Sequence, residues 1–340
     1  MPILAAPMAG GPTTPALVIA AAAAGSVGFL AAGYQTPDAF AAQIAEVRAA
    51  GVPFGVNLFA PNPVPVDPAE FRSYAERLQP EGDRYGVDLA HADLAADAAD
   101  ADADADDHWH EKIALLLDDP VPIVSFTFGL PPTSDLEALR SRGMLLVQTV
   151  TSAAEAQAAA DAGVDALVVQ ASAAGGHSGT FTPQLIPPPT PLTELLAQVR
   201  AVTALPLLAA GGLGTSADIR AALHAGASAV AVGTVLLGSD ESAASTPYKR
   251  VLADPGERQT LVTRAFSGRP ARGLRNTFTD RYDAFAPLGY PAINTLTTRL
   301  RRAAAAAGDA ETINLWAGTG FRHVRSGPAS TIIAALAAGV

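Results

Sequence analysis

Cysteine is absent from the 340-residue chain. That excludes disulfides, thiolate metal sites and a cysteine nucleophile, fits a reducing compartment, and leaves nothing that points to a metal. Charge is sparse at 16%, against 49% hydrophobic residues, which excludes a disordered chain and supplies a large core. Basic residues are the scarcer sign: 22 Lys and Arg against 33 Asp and Glu leave a net charge of −11. Such a chain repels nucleic acid and anionic membranes, so the expected partner is a small molecule. No Lys or Arg falls between Asp93 and Asp107, where seven of the negative charges lie. The low-complexity Ala/Asp stretch from Asp88 to Asp107 lacks the glycine and spacing of a calcium loop and reads as a solvated acidic helix or loop. One uncharged run, Ala16 to Gly33, resembles a membrane span in length only. Alanine contributes little transfer energy, glycine interrupts the run, and no basic segment precedes it, so the expected location is cytoplasmic. A homo-oligomer is compatible with the composition, which sets no particular state.

What is present is a recurring phrase in which an alanine-rich helix ends at glycine and a short apolar run follows. Gly25, Gly51, Gly143, Gly163 and Gly226 all fit. Glycine closes a helix by adopting the left-handed conformation, and the runs after it are too short and too uniformly apolar for surface helices. They read as buried parallel strands. Together with three further runs they make eight candidates: Ile3 to Pro7, Val27 to Ala31, Phe54 to Leu58, Val121 to Phe126, Met144 to Val150, Ala166 to Gln170, Leu205 to Ala210 and Ala229 to Gly233. Asp161 to Val169 (DAGVDALVV) is echoed by His224 to Val232 (HAGASAVAV). Eight strand–helix units predict a closed (β/α)8 TIM barrel over residues 1 to about 238, with a doubly wound open sheet as the alternative. Beyond Gly238 about a hundred residues, including Arg299, Arg301 and Arg302, read as helices packed across one face and closing the site. The whole chain then reads as one domain.

In a barrel of this kind ligands sit at the carboxyl ends of the strands, with phosphates commonly beyond the seventh and eighth. Gly211-Gly212-Leu213-Gly214 follows the seventh run and Gly233-Thr234 the eighth. Glycines let backbone approach an anion, although tight turns use them as often. The sixth run ends in Gln170-Ala171-Ser172-Ala173-Ala174-Gly175-Gly176-His177-Ser178-Gly179. A histidine between glycines has little local packing to explain it, which makes His177 the candidate reacting group. The other histidines are poorer candidates: His91, His108 and His110 border the acidic run, His224 sits at a helix end, and His323 suggests no role.

These segments resemble the nitronate monooxygenases, formerly called 2-nitropropane dioxygenases, over almost the whole chain. Ala6-Pro7-Met8-Ala9-Gly10-Gly11 is similar to the family's opening strand end, and Phe54-Gly55-Val56-Asn57-Leu58-Phe59 and Ser125-Phe126-Thr127-Phe128-Gly129 to its next two signatures. The His177 loop, Ser267-Gly268-Arg269-Pro270-Ala271-Arg272 and Asn314-Leu315-Trp316-Ala317-Gly318 follow in order, the last resembling the bacterial class I enzymes. The resemblance implies FMN, with the ring against Ala6, Pro7 and Met8, amide hydrogen bonds from Asn57 and Gln170, and Gly175 behind it. The phosphate would rest on Gly212 and on Ala231, Val232, Gly233 and Thr234. His177 would face the reactive edge of the flavin and an alkyl nitronate or nitroalkane, which oxygen oxidises to a carbonyl compound and nitrite. It would act as a base or, if protonated, hold the anion. Ala171, Ala173 and Thr319 depart from the pattern, where relatives often carry glycine, glutamate and glutamine. The flavin-dependent enoyl reductases, with a similar histidine loop, are the alternative enzyme, and a non-catalytic flavin-binding barrel is a third reading.

Overall fold

The computed structural model describes residues 1–92 and 106–340. Most of the acidic run therefore lies outside the described residues. Strands β1 (Ile3–Ala5), β2 (Val27–Ala31), β3 (Phe54–Phe59), β4 (Ile123–Thr127), β5 (Leu145–Val150) and β6 (Ala166–Gln170) are followed by β7 (Gly176–His177), β8 (Leu207–Ala210), β9 (Ala229–Val232), β10 (Thr260–Thr263) and β11 (Ala271–Leu274). Eight of them close a parallel barrel in the order β1-β2-β3-β4-β5-β6-β8-β9, with Ala5 of β1 in register with Val232 of β9. This is the TIM barrel that the eight apolar runs predict, and the open sheet is excluded. Three runs start or stop short of expectation at proline: β1 ends before Pro7, β4 begins after Pro122 and β8 after Pro206. Proline cannot donate to a ladder, so it sits at the border of a strand rather than inside it.

Gly25, Gly51, Gly143, Gly163 and Gly226 all have positive φ at the ends of helices, as their place before each strand requires. The helices turn apolar faces to the barrel; Phe40, Ile44 and Val47 form such a stripe on Pro37–Ala49. The Ala16 to Gly33 run is a helix, Pro15–Ala23, followed by β2. No helix among the described residues is long and apolar enough to cross a membrane.

The C-terminal hundred residues do three things. Helix Ala292–Ala306 and helix Thr277–Tyr282 build a second apolar cluster with Pro68–Asp83, the helix after β3, through Phe71, Tyr74, Leu78, Phe266, Phe278, Ile293 and Leu300. The cap is thus shared between two regions of sequence. β10 and β11 form an antiparallel sheet with β7, which lies in the loop after β6. Finally, helix Ala329–Ala337 returns to the outer ring and packs between Pro15–Ala23 and Ser216–His224.

Candidate active site

A cavity of about 520 Å³ opens across the carboxyl ends of the barrel strands beneath the cap. Every site residue expected from the sequence lines it: Ala6, Pro7 and Met8 after β1, Asn57 on β3, Gln170, Gly175 and His177 after β6, Gly212 after β8, and Ala231, Val232, Gly233 and Thr234 at the end of β9. Arg299, Arg301 and Arg302 line it from the cap.

The loop carrying His177 is fixed at several points. Gln170 at the end of β6 donates through Nε2 to the His177 carbonyl (3.3 Å) and accepts from the Gly179 N–H (2.7 Å). Its amide therefore shapes the loop as well as facing the cavity. The buried Glu155 carboxylate accepts from Thr151 Oγ1, Thr180 Oγ1 and the Phe181 N–H, each at 2.8 Å. Across the cap sheet His177 is in register with Ala271, and the Ser178 N–H donates to the Pro270 carbonyl at 2.9 Å. Gly175 is dictated by a close approach: a Cβ there would come within 2.4 Å of the Gly318 nitrogen, so the Trp316-Ala317-Gly318 turn packs directly on the loop.

The His177 ring lies among aromatic rings, with centroids 5.8 Å from Phe128, 5.7 Å from Tyr290 and 5.4 Å from Trp316. Its Nε2 is 2.8 Å from Ser267 Oγ. Burial first, then the charges of Arg269 and Arg301, push its pKa down from 6.5 to about 3. The imidazole is neutral at ordinary pH. Of the two roles the sequence left open, this counts against a standing imidazolium.

Arg269 is buried and Arg301 half-buried, and neither has a carboxylate hydrogen-bond partner among the described residues. Arg269 is fully buried, donates to the carbonyls of Thr180 (2.5 Å) and Phe128 (3.3 Å), and stacks 4.0 Å from the centre of the Phe128 ring. Arg301 donates to Thr297 Oγ1 (3.1 Å), Asn314 Oδ1 (3.1 Å), Asn294 Oδ1 (2.8 Å) and Thr298 Oγ1 (2.8 Å). Burial lowers the pKa of each to about 10, still well above neutrality. A chain of net charge −11 thus builds a positive cavity, suited to an anion. Asn57, buried on β3, donates to Ser125 Oγ (2.9 Å) and Thr127 Oγ1 (3.0 Å) of β4 and presents one edge to the cavity.

At the other end of the cavity the backbone N–H groups of Gly212, Leu213, Gly233 and Thr234 have no hydrogen-bond partner among the described residues, and all four residues line the cavity. Gly212 has φ +77°, and a Cβ on it would crowd Thr319 Oγ1 at 3.1 Å and Ala173 Cβ at 3.2 Å. The departures at Ala173 and Thr319 meet here; the Thr319 N–H donates to the Ala173 carbonyl at 3.0 Å. The Thr234 hydroxyl accepts from the Gly318 N–H (3.0 Å), which ties this turn to the Trp316 turn. His323, without a role in the sequence, packs against Gly214, whose missing side chain makes room for the ring.

Sequence reasoning left Ser267, Arg269, Tyr290 and the aromatic wall without a part. The Ser-Gly-Arg-Pro-Ala-Arg segment was visible as a motif, but its contact with His177 depends on β11 pairing with β7.

A closed parallel barrel with a histidine-bearing cavity over the carboxyl ends of its strands defines the class, a (β/α)8-barrel enzyme. Residues 1–339 match the family model described as nitronate monooxygenase. A probable nitronate monooxygenase of Bacillus subtilis (strain 168) is 34% identical over 326 residues, covering 95% of this chain and 91% of that one. One of Staphylococcus saprophyticus is 35% identical over 330 residues, covering 95% and 90%. Among solved structures, nitroalkane oxidase from Streptomyces ansochromogenes superposes with a TM-score of 0.91 at 43% identity, covering 99% of this chain and 95% of that chain. FabK from Thermotoga maritima superposes with a TM-score of 0.72 at 26% identity, covering 98% and 91%. The chain belongs to the nitronate monooxygenase family and is an oxidoreductase.

Proposed function

We propose that the protein binds FMN and oxidises alkyl nitronates, and neutral nitroalkanes, to a carbonyl compound and nitrite with oxygen as the final electron acceptor. The observation that carries this reading is His177 in a cavity with Arg301 in its lining and the buried Arg269 stacked on the lining ring of Phe128, neither of these two arginines bonded to a carboxylate among the described residues. The family and the nitroalkane oxidase neighbour support oxidation of nitro compounds.

The residues fit the cofactor. Four unpaired N–H groups on Gly212, Leu213, Gly233 and Thr234 suit one terminal phosphate, and the strand ends at Ala6, Pro7, Met8, Asn57 and Gln170 form the remaining floor and walls. FMN, when bound, supplies the electron acceptor for the substrate and the electron donor to oxygen. The chain's own part is to position the substrate and manage its proton. A nitroalkane is neutral and holds its acidic hydrogen on carbon; His177 removes it. The imidazolium that results is disfavoured by Arg269 and Arg301, while the nitronate formed beside it is favoured by the same charges. Transfer therefore generates an ion pair in which the cavity stabilises the anion. A preformed nitronate needs no base and uses only the positive field.

His177→Asn separates these roles. A positioned base contributes about 10²- to 10⁴-fold, so kcat/KM for a neutral nitroalkane should fall by that order while the matched nitronate loses less and FMN content is unchanged. Wild-type rates on both substrates would remove His177 from the reacting centre. Recovery of the protein with FAD, or with no flavin after reconstitution, would overturn the cofactor assignment.

A further inference from the structure

We propose that Ser267 locks His177 in the tautomer protonated at Nε2, leaving Nδ1 as the atom that takes the proton from the substrate. The inference deepens the reading above and rests on His177 being the base.

It follows from counting protons in a buried triangle. Ser267 is completely buried, and its hydroxyl has one proton to give. Its oxygen lies 2.8 Å from His177 Nε2 and 3.2 Å from the Arg269 carbonyl, and 3.4 Å from the Arg269 N–H. The Arg269 carbonyl has no other donor among the described residues. If the hydroxyl proton goes to that carbonyl, the hydroxyl oxygen accepts from His177 Nε2–H and from the Arg269 N–H, and every group is paired. If instead the hydroxyl donates to Nε2, the buried carbonyl is orphaned. Leaving a buried polar group unpaired is the costlier arrangement, so the first pattern prevails.

The other ring nitrogen completes the case. Nδ1 makes no hydrogen bond among the described residues, yet it is not one of the buried, unpartnered atoms, so it keeps surface open to the cavity that His177 lines. In the Nε2–H tautomer that atom carries a lone pair. The substrate C–H bond breaks, its proton joins Nδ1, and the electron pair stays on the substrate as the nitronate. His177 becomes an imidazolium that still donates Nε2–H to Ser267, and it later releases the Nδ1 proton to water. Ser267 is buried and does not line the cavity, so it is a positioning residue, as the partner of the second nitrogen sets the tautomer of a catalytic histidine.

The test is nitrogen NMR of the FMN-loaded protein labelled with 15N-histidine, with His177→Asn used to assign the signal. A protonated Nε2 and an unprotonated Nδ1 are expected in the wild type. A protonated Nδ1, or an average of both tautomers, overturns the proposal whatever the enzyme oxidises. Ser267→Ala should shift the signal toward mixed tautomers and lower kcat on a neutral nitroalkane by about 10- to 100-fold, with KM and the kcat for preformed nitronate nearly unchanged. Ser267→Thr, which keeps the hydroxyl, should restore both signatures. If the tautomer is as stated but nitroalkanes are not oxidised, the substrate reading fails and the tautomer stands. Unchanged nitroalkane kcat in Ser267→Ala, with the variant folded and flavin-loaded, would also overturn the proposed role.

Discussion

At the scale of single residues, the site is built by withholding counter-charges. His177 sits near Arg269 and Arg301, and neither arginine has a carboxylate among its hydrogen-bond partners in the described residues. The consequence is measurable without any substrate. Folding lowers the His177 pKa from 6.5 to about 3, so below pH 6.5 the unfolded chain takes up a proton that the native state refuses. The ring contributes nothing above that pH, and stability is lost as pH falls from 6.5 toward 3. His177→Asn should therefore lose less melting temperature than the wild type between about pH 7 and pH 4, the carboxylates being common to both. Parallel Tm–pH curves would show that the ring titrates normally in the native state.

At the scale of elements, the loop after β6 and the turn at Trp316 hold each other in place, and glycines mark where they touch. Gly175→Ala would drive a Cβ against the backbone of Ala317 and Gly318, which can yield only by moving the turn. Overpacking of this kind costs roughly 1 to 3 kcal/mol, to be read as a lowered denaturation midpoint. The turn after β8 makes a different demand. Gly212 needs a left-handed conformation and faces the cavity among unpaired N–H groups, so Gly212→Asp introduces both strain and a negative charge. Titration of the apoprotein with FMN should show affinity falling at least about tenfold, the equivalent of 1.4 kcal/mol. Undiminished affinity would place the phosphate elsewhere. Both turns were legible as glycine clusters, because a glycine needed for φ or for space leaves its mark in the chain itself. Their partners were not legible, because Ala173, Thr319 and Gly318 come near only through tertiary contact.

At the scale of the molecule, the chain crosses its own barrel twice after β9. It forms the cap and cap sheet, then returns as helix Ala329–Ala337 to fill the gap between Pro15–Ala23 and Ser216–His224. Ala329, Ile332, Ile333 and Leu336 are buried there. Ile333→Ala, far from the cavity, should cost about 2 to 5 kcal/mol in denaturant unfolding while leaving kcat on the folded fraction unchanged. A small cost would mean that the ring is closed without this helix.

Much of this architecture was determined along the chain. Uniform apolar runs, five of them after helix-closing glycines, are local signals, so the eight barrel strands, the two glycine turns and the prominence of His177 could all be read in order. The helix that closes the ring carries no mark of where it docks, since its apolar stripe would suit any apolar groove. The sharing of the cap between Pro68–Asp83 and the C-terminal helices was equally hidden. Tertiary structure alone decided what surrounds the histidine: Ser267 at its Nε2, an aromatic wall from Phe128, Tyr290 and Trp316, and the burial that, with two arginines, lowers its pKa. Those groups lie up to well over a hundred positions away in sequence. A pKa or a tautomer depends on distance in space and on burial, and neither quantity exists until the chain has closed.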